Sequence, residues 1–256
     1  MAKSSKSSSS SRASRTERQK VVEQMRAQQR AAERRRGQAI VLVCVVIALG
    51  IIVAAAWGPV TDHFRTQKYA GKPIDQIGAA ASACQKPTTK PATGNQQHLP
   101  DGTPVDYPDS PPAFGKHYID PEPMARKFYT VQDRPALGTL VHNEEHGYTI
   151  LWYDDSVAGN SDEVSQIRAI ADKFAGTSDF RDKFKAVPWT ADDGKPFPNG
   201  QHVALTHWSV GGTDQAASGN AQEVGVWQYC SSVSGAALKT FMLDYPFSDS
   251  PEPNGI

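Results

Sequence analysis

The chain has 256 residues, with 27 Lys and Arg against 27 Asp and Glu and a formal net charge of zero. The balance hides a division: up to Arg36, eleven basic residues face three acids, a net of +8, so the remainder carries −8. No folded part of the chain is basic, which excludes a basic nucleic-acid-binding domain, and the asymmetry points to a membrane or another anionic partner at the N-terminal end.

Taken in chain order, residues 1–38 form the basic tail. Lys3 to Ser14 is dominated by serine and basic residues and is expected to be disordered. Thr16 to Arg36 has helix-favouring composition but only Val21, Val22 and Met25 as sizeable apolar residues, which predicts a marginal juxtamembrane helix resting on anionic lipid. Residues 39–57, Ala39 to Trp57, carry no charge. At a rise of about 1.5 Å per residue they reach about 28 Å, close to the ~30 Å hydrocarbon core of a bilayer. Lipid offers no hydrogen bonds to an open backbone, so the run is expected to span as a helix. Arg34, Arg35 and Arg36 abut its start, and the positive-inside rule puts the N-terminus in the cytosol and the rest of the chain outside. A cleaved signal peptide is disfavoured, because the preceding polar region is long and the apolar run exceeds a signal's usual core.

Residues 58–97 read as a spacer, with turn and linker chemistry from Lys86 to Asn95, and residues 98–256 as one extracytoplasmic domain. Cys84 and Cys230 are the only cysteines outside the apolar run and are expected to pair in an oxidising compartment. From His98 onward prolines and aromatic residues crowd together, the pattern of an irregular segment pinned onto a core. Thr139-Leu140-Val141 and Tyr148 to Tyr153 are β-rich runs; Asp162 to Phe174 has helical spacing, with Gly176 as its stop. Val187 to Trp189 and His202 to Trp208 read as strands, and Gly235 to Tyr245 as a helix capped by Ser234 and ended by Pro246. The elements do not alternate regularly, so the expected fold is α+β: a mainly antiparallel sheet with two or more helices, in one domain.

The strongest local signal is His142-Asn143-Glu144-Glu145-His146-Gly147. Histidines four apart share a face on a helix and on a strand alike. With His98 and His117 they form a candidate transition-metal site, for zinc or copper among the metals that imidazole suits, which include iron and nickel, with Glu144 and Glu145 as carboxylates that orient the rings. On a helix the string H-x-x-E-H would also match a zinc-peptidase pattern with Glu145 as general base, but the β-type flanks argue against it. A fully hydrogen-bonded structural network, in a non-catalytic envelope-binding or scaffold module, is the competing reading.

His98, Pro111-Pro112, Gly115-Lys116-His117, Val141-His142 with Glu145-His146-Gly147, and Trp152-Tyr153 together resemble the bacterial family called domain of unknown function 3105. The resemblance runs from His98 to the C-terminus. It implies a one-helix membrane protein with an extracytoplasmic domain, and it implies no reaction, since the family has no established activity.

The topology is open to a direct test. Protease added to intact, wall-less cells is expected to digest the C-terminal domain and spare an N-terminal tag; a protected domain would contradict the reading.

Overall fold

A run of helix-forming residues continues into the apolar segment without a break, and helix propagation is cheap once nucleated. In a computed structural model describing residues 7–92, 96–198, 200–212 and 222–255, the result is a single helix, α1, Ser7–Ala70. It includes Ser7 to Ser14, where disorder is expected, and the first residues of the expected spacer; Lys3 to Lys6 lie outside the described residues. The chain divides after Val60 into two units. In the first, the side chains of the apolar run are exposed throughout, from Ile40 to Trp57, so this stretch of α1 is a candidate membrane span.

The second unit begins with Thr61 and is ordered well before His98. Tyr69 is buried and its hydroxyl donates to Asp162 (2.9 Å), and Ile77 enters the core. Cys84 is bonded to Cys230. The stretch read as linker contains a strand, β1 (Thr88–Pro91), paired antiparallel with β7 (Val224–Cys230). Prolines at 87 and 91 disguise it, a combination tolerated because β1 is an edge strand.

The remaining elements are β2 (His98–Leu99), β3 (His117–Tyr118), α2 (Leu137–Glu145), β4 (Thr149–Tyr153), α3 (Asp155–Ala158), α4 (Ser161–Lys173), β5 (Phe184–Pro188), β6 (Val203–Ser209) and α5 (Gly235–Asp244). The main sheet has the order β1-β7-β6-β4-β5, antiparallel except for the β4–β5 pair, which the α3–α4 crossover makes parallel. The expected α+β class with a mostly antiparallel sheet is what forms. Asn160 caps α4 by accepting from Asp162 N (3.1 Å), and Ser234 caps α5 by accepting from Ala237 N (3.2 Å).

Both faces of the sheet are covered, and the period of two in the strands sorts their residues. Leu151, Tyr153, Phe184, Ala186, Val203 and Leu205 face Ile167 and Ile170 of α4 and Leu238 and Phe241 of α5. Ile150, Trp152, Val187 and Ala204 face the other way, against Leu140 of α2, Tyr129, Trp189 and Phe197. Trp152, Trp189, Trp208 and Trp227 are all buried.

One expectation fails here. Thr139-Leu140-Val141 belong to α2, not to a strand. The helix lacks a side-chain cap at Ala136, so no start signal is visible, and its β-branched Val141 is tolerated because it is fully buried together with Leu140. Gly147 ends this helix. Its φ is +86°, its N–H donates to Glu144 O (2.9 Å), and Tyr148 N–H donates to Asn143 O (3.1 Å), the paired bonds of a Schellman turn. A Cβ at this position would also stand 2.3 Å from Phe247 O.

The Cys84–Cys230 bond closes a loop of sequence separation 146, worth about 4–5 kcal/mol in the chain-entropy account. Peptide mapping of unreduced protein should recover the linked pair. In denaturant melts of the full chain, reduction should lower the stability of the second unit by up to about that amount; two freely alkylated thiols would contradict the bond.

Candidate metal centre

The irregular segment after His98 is held by its aromatic side chains and by those of β7. Tyr107 OH donates to Lys116 O (2.6 Å) and Tyr118 OH to Thr103 O (2.9 Å). Trp227 Nε1 donates to Pro111 O (2.8 Å) and Tyr229 OH to Ser110 O (2.9 Å). Phe114 packs on Trp208 and Trp227, over Gly225, where a Cβ would come within 2.4 Å of the Phe114 ring. These anchors bring β2 and β3 together in parallel, with His98 opposite His117. The β3 edge then meets α2: the Tyr118 ring lies against Gly138, where a Cβ would clash at 2.9 Å.

The four histidines converge. Nε2 of His117 is 3.3 Å from Nε2 of His98, and Nε2 of His142 is 3.1 Å from Nε2 of His146. The rings of His98 and His117 each lie 4.9 Å, centroid to centroid, from that of His142, the first edge-on and the second tilted. Glu145 enters from α2, with Oε2 at 2.9 Å from His117 Nε2 and 3.7 Å from His98 Nε2. Neither Glu145 oxygen has an aligned hydrogen bond, although both are buried. His117 and His142 are buried, while His98 keeps 39% of its side chain exposed.

The far side of two rings fixes their tautomers. His117 Nδ1 lies 2.8 Å from Gly115 O, and His142 Nδ1 lies 2.6 Å from Tyr118 O. A carbonyl only accepts, so each Nδ1 carries a proton, and in the neutral ring each Nε2 presents a lone pair. Lone pairs of His117 and His142 therefore face other rings and a carboxylate. The titration tendencies agree. Burial is the main cause that lowers the His142 pKa, and neighbouring His117 and His98 add to it. Burial, then His142 and Lys183, push His146 down to about 4. For Glu145, burial works upward but is outweighed by His117, His98 and His142, so its pKa falls and it stays a carboxylate.

Such an arrangement fits a cation. At a metal–ligand distance of about 2.0–2.1 Å, neighbouring ligands lie about 3.3–3.4 Å apart round a tetrahedral ion and about 2.9 Å apart round an octahedral one. The Glu145–His117 separation of 2.9 Å and the His117–His98 separation of 3.3 Å fall in that range, and the Glu145–His98 separation of 3.7 Å and the Glu252–His146 separation of 3.5 Å lie a little beyond it. Among the described residues, donors within 4.8 Å of one another form two groups: His98, His117, His142 and Glu145, and then Glu145, His146 and Glu252.

Glu144 belongs to neither group. It is fully buried under α2 without an aligned hydrogen bond, and burial raises its pKa well above the usual carboxylate range, against the opposing effect of the Thr206 hydroxyl. Glu145 stands with the donors, not behind them. Two residues have no signal in the sequence. Glu252 lies in a proline-flanked tail that carries no pattern, with its Oε2 3.5 Å from His146 Nε2. Lys183 is buried and donates to His146 O (2.7 Å), Pro253 O (2.8 Å) and Gly255 O (2.7 Å), tying the tail to the C-terminal end of α2. An ammonium there also complements the helix dipole. Burial brings its pKa down to about 8.

Residues 98–255 match the family model described as protein of unknown function DUF3105. No curated protein matches the chain, and no solved structure does.

Proposed function

This chain belongs to the DUF3105 family, and we propose that its domain binds a divalent transition-metal ion, zinc or copper, at the histidine cluster. The observation that carries the reading is the set of groups that face one another: Nε2 of His117 and His142, with the Nδ1 protons committed to Gly115 O and Tyr118 O, and the Glu145 carboxylate, which lies 2.9 Å from His117 Nε2 without an aligned hydrogen bond. Acceptors crowded at 2.9–3.3 Å repel one another unless a proton or a metal lies among them. His98 is the exposed member and gives the ion its way in.

The apolar stretch of α1 anchors the domain to the cell membrane as a single pass. The +8 tail rests on anionic lipid on the cytosolic side, and the disulfide-bonded domain stands outside, within reach of a cell-envelope partner. The buried tryptophans speak against the scaffold alternative, which needs exposed aromatic surface. The helical conformation of α2 removes the earlier objection to a peptidase of H-x-x-E-H type. That chemistry needs Glu145 free to hold a water, and its contact with His117 supports a ligand role instead.

Equilibrium dialysis of the full chain in detergent against zinc and copper tests the reading. His117→Ala and His142→Ala should each weaken binding by more than about 100-fold, beyond the usual cost of removing an outer partner. His63→Ala should leave it unchanged. Protons compete for the same nitrogens, and His142 and His146 have lowered pKa values. Their release of metal should therefore begin only below the ordinary imidazole pKa of ~6.5. Unchanged binding in a folded His117→Ala/His142→Ala double variant would refute the site.

A further inference from the structure

The cluster holds more donors than one ion can reach. Ligands of a single ion at about 2.0–2.1 Å can be no more than about 4.2 Å apart, even when opposite one another. The donors here fall into two groups, each within 4.8 Å internally and sharing Glu145, and His142 of the first lies 3.1 Å from His146 of the second where the two meet. The first contains His98, His117 and His142. The second contains His146 and Glu252 and opens to solvent, since the Glu252 side chain is 54% exposed. We propose that the site is a two-metal centre in which Glu145 bridges an inner ion, held by His98, His117 and His142, and an outer ion, held by His146 and Glu252.

This deepens the metal-binding reading and rests on it. Glu145 has the two properties a bridge requires. It is fully buried, so water does not solvate it, and both of its oxygens lack an aligned hydrogen bond. One oxygen is already turned to His117 and His98, which leaves the other for a second ion. Bridged ions of this kind lie about 3.5–4 Å apart. The inner position is closed by four protein ligands; the outer has three, and its remaining positions face solvent. That difference separates a retentive ion from an exchangeable one with room for water or a substrate oxygen.

The C-terminal tail builds the outer position. Glu252 N–H donates to Glu145 O (2.9 Å), fixing the tail's register on α2. Gly255 lies flat on the His146 ring, where a Cβ would come within 2.3–2.5 Å of ring atoms. Lys183 holds Pro253 O and Gly255 O to the same helix end that carries His146. The tail thus delivers a carboxylate to His146 and covers one face of its ring.

Metal stoichiometry and copper(II) electron paramagnetic resonance on the full chain in detergent decide the matter, with Glu252→Ala as the variant, because an exposed tail side chain can be removed without disturbing the core. The expected result is two zinc ions per chain in the parent and one in Glu252→Ala. Two copper equivalents should give a spin-coupled spectrum in the parent, and the variant should give an isolated-ion spectrum. One ion in both proteins would overturn the two-metal centre while leaving the inner site intact. Two ions in both, or two uncoupled coppers in the parent, would place the second ion elsewhere and overturn it as well. No bound ion in the parent would remove the metal reading itself.

Discussion

The architecture around the cluster depends on two hydrogen bonds, from His117 Nδ1–H to Gly115 O and from His142 Nδ1–H to Tyr118 O. Each is an ordinary imidazole–carbonyl contact, yet together they turn two lone pairs into the same buried space. Both carbonyls belong to the short segment around β3, so that segment sets the ring orientation of a histidine in β3 and of a histidine in α2 at once. The aromatic anchors behind it then acquire a purpose. Tyr107, Phe114, Trp227 and Tyr229 hold an irregular, proline-rich stretch stiffly enough for its carbonyls to serve as fixed acceptors. A looser segment would let the rings turn and take up one another's protons.

A second constraint is the way buried cations replace regular secondary structure. β5 lies beside β4 with both faces covered, so Lys183 and Lys185 point into the protein and not into water. Lys185 satisfies Pro123 O (2.8 Å) and Arg126 O (3.2 Å), and Lys183 satisfies the end of α2 and the C-terminal tail. His207, also fully buried, lies 2.8 Å from Asp249 O, while the Asp249 carboxylate accepts from Ser209 Oγ (2.7 Å) and Gly212 N (2.8 Å). Polar groups that would be costly when unpaired thus fasten irregular chain to the sheet. The C-terminal residues owe their position near His146 to this fastening.

Much of this was legible in the residues. β-rich runs marked β4 and β6, and caps and helical spacing marked α4 and α5, because these elements carry their own local signals. The lone outer cysteines gave the disulfide. β1 was hidden by its prolines and β7 by its mixed polarity, since both are recognised only through the partner they pair with. The helix α2 was misread because its evidence is tertiary: no cap marks its start, and its β-branched Val141 is tolerated through burial that sequence does not display. The histidines announced themselves by type and spacing. The sequence distinguished poorly between Glu144 and Glu145, because adjacent residues on a helix point about 100° apart and only the neighbouring sheet decides which faces the histidines. Glu252 has no local pattern at all, because its place depends on contacts with residues distant in the chain.

The central claim is that histidine nitrogens and a carboxylate, and no sulfur, hold an ion between β2–β3 and α2. X-ray absorption at the metal edge of the full chain loaded with one equivalent of zinc measures the ligand set without altering any residue. The account predicts nitrogen and oxygen neighbours at about 2.0–2.1 Å, with the outer-shell scattering of about three imidazole rings. A sulfur neighbour at about 2.3 Å, or a spectrum without imidazole scattering, would contradict it.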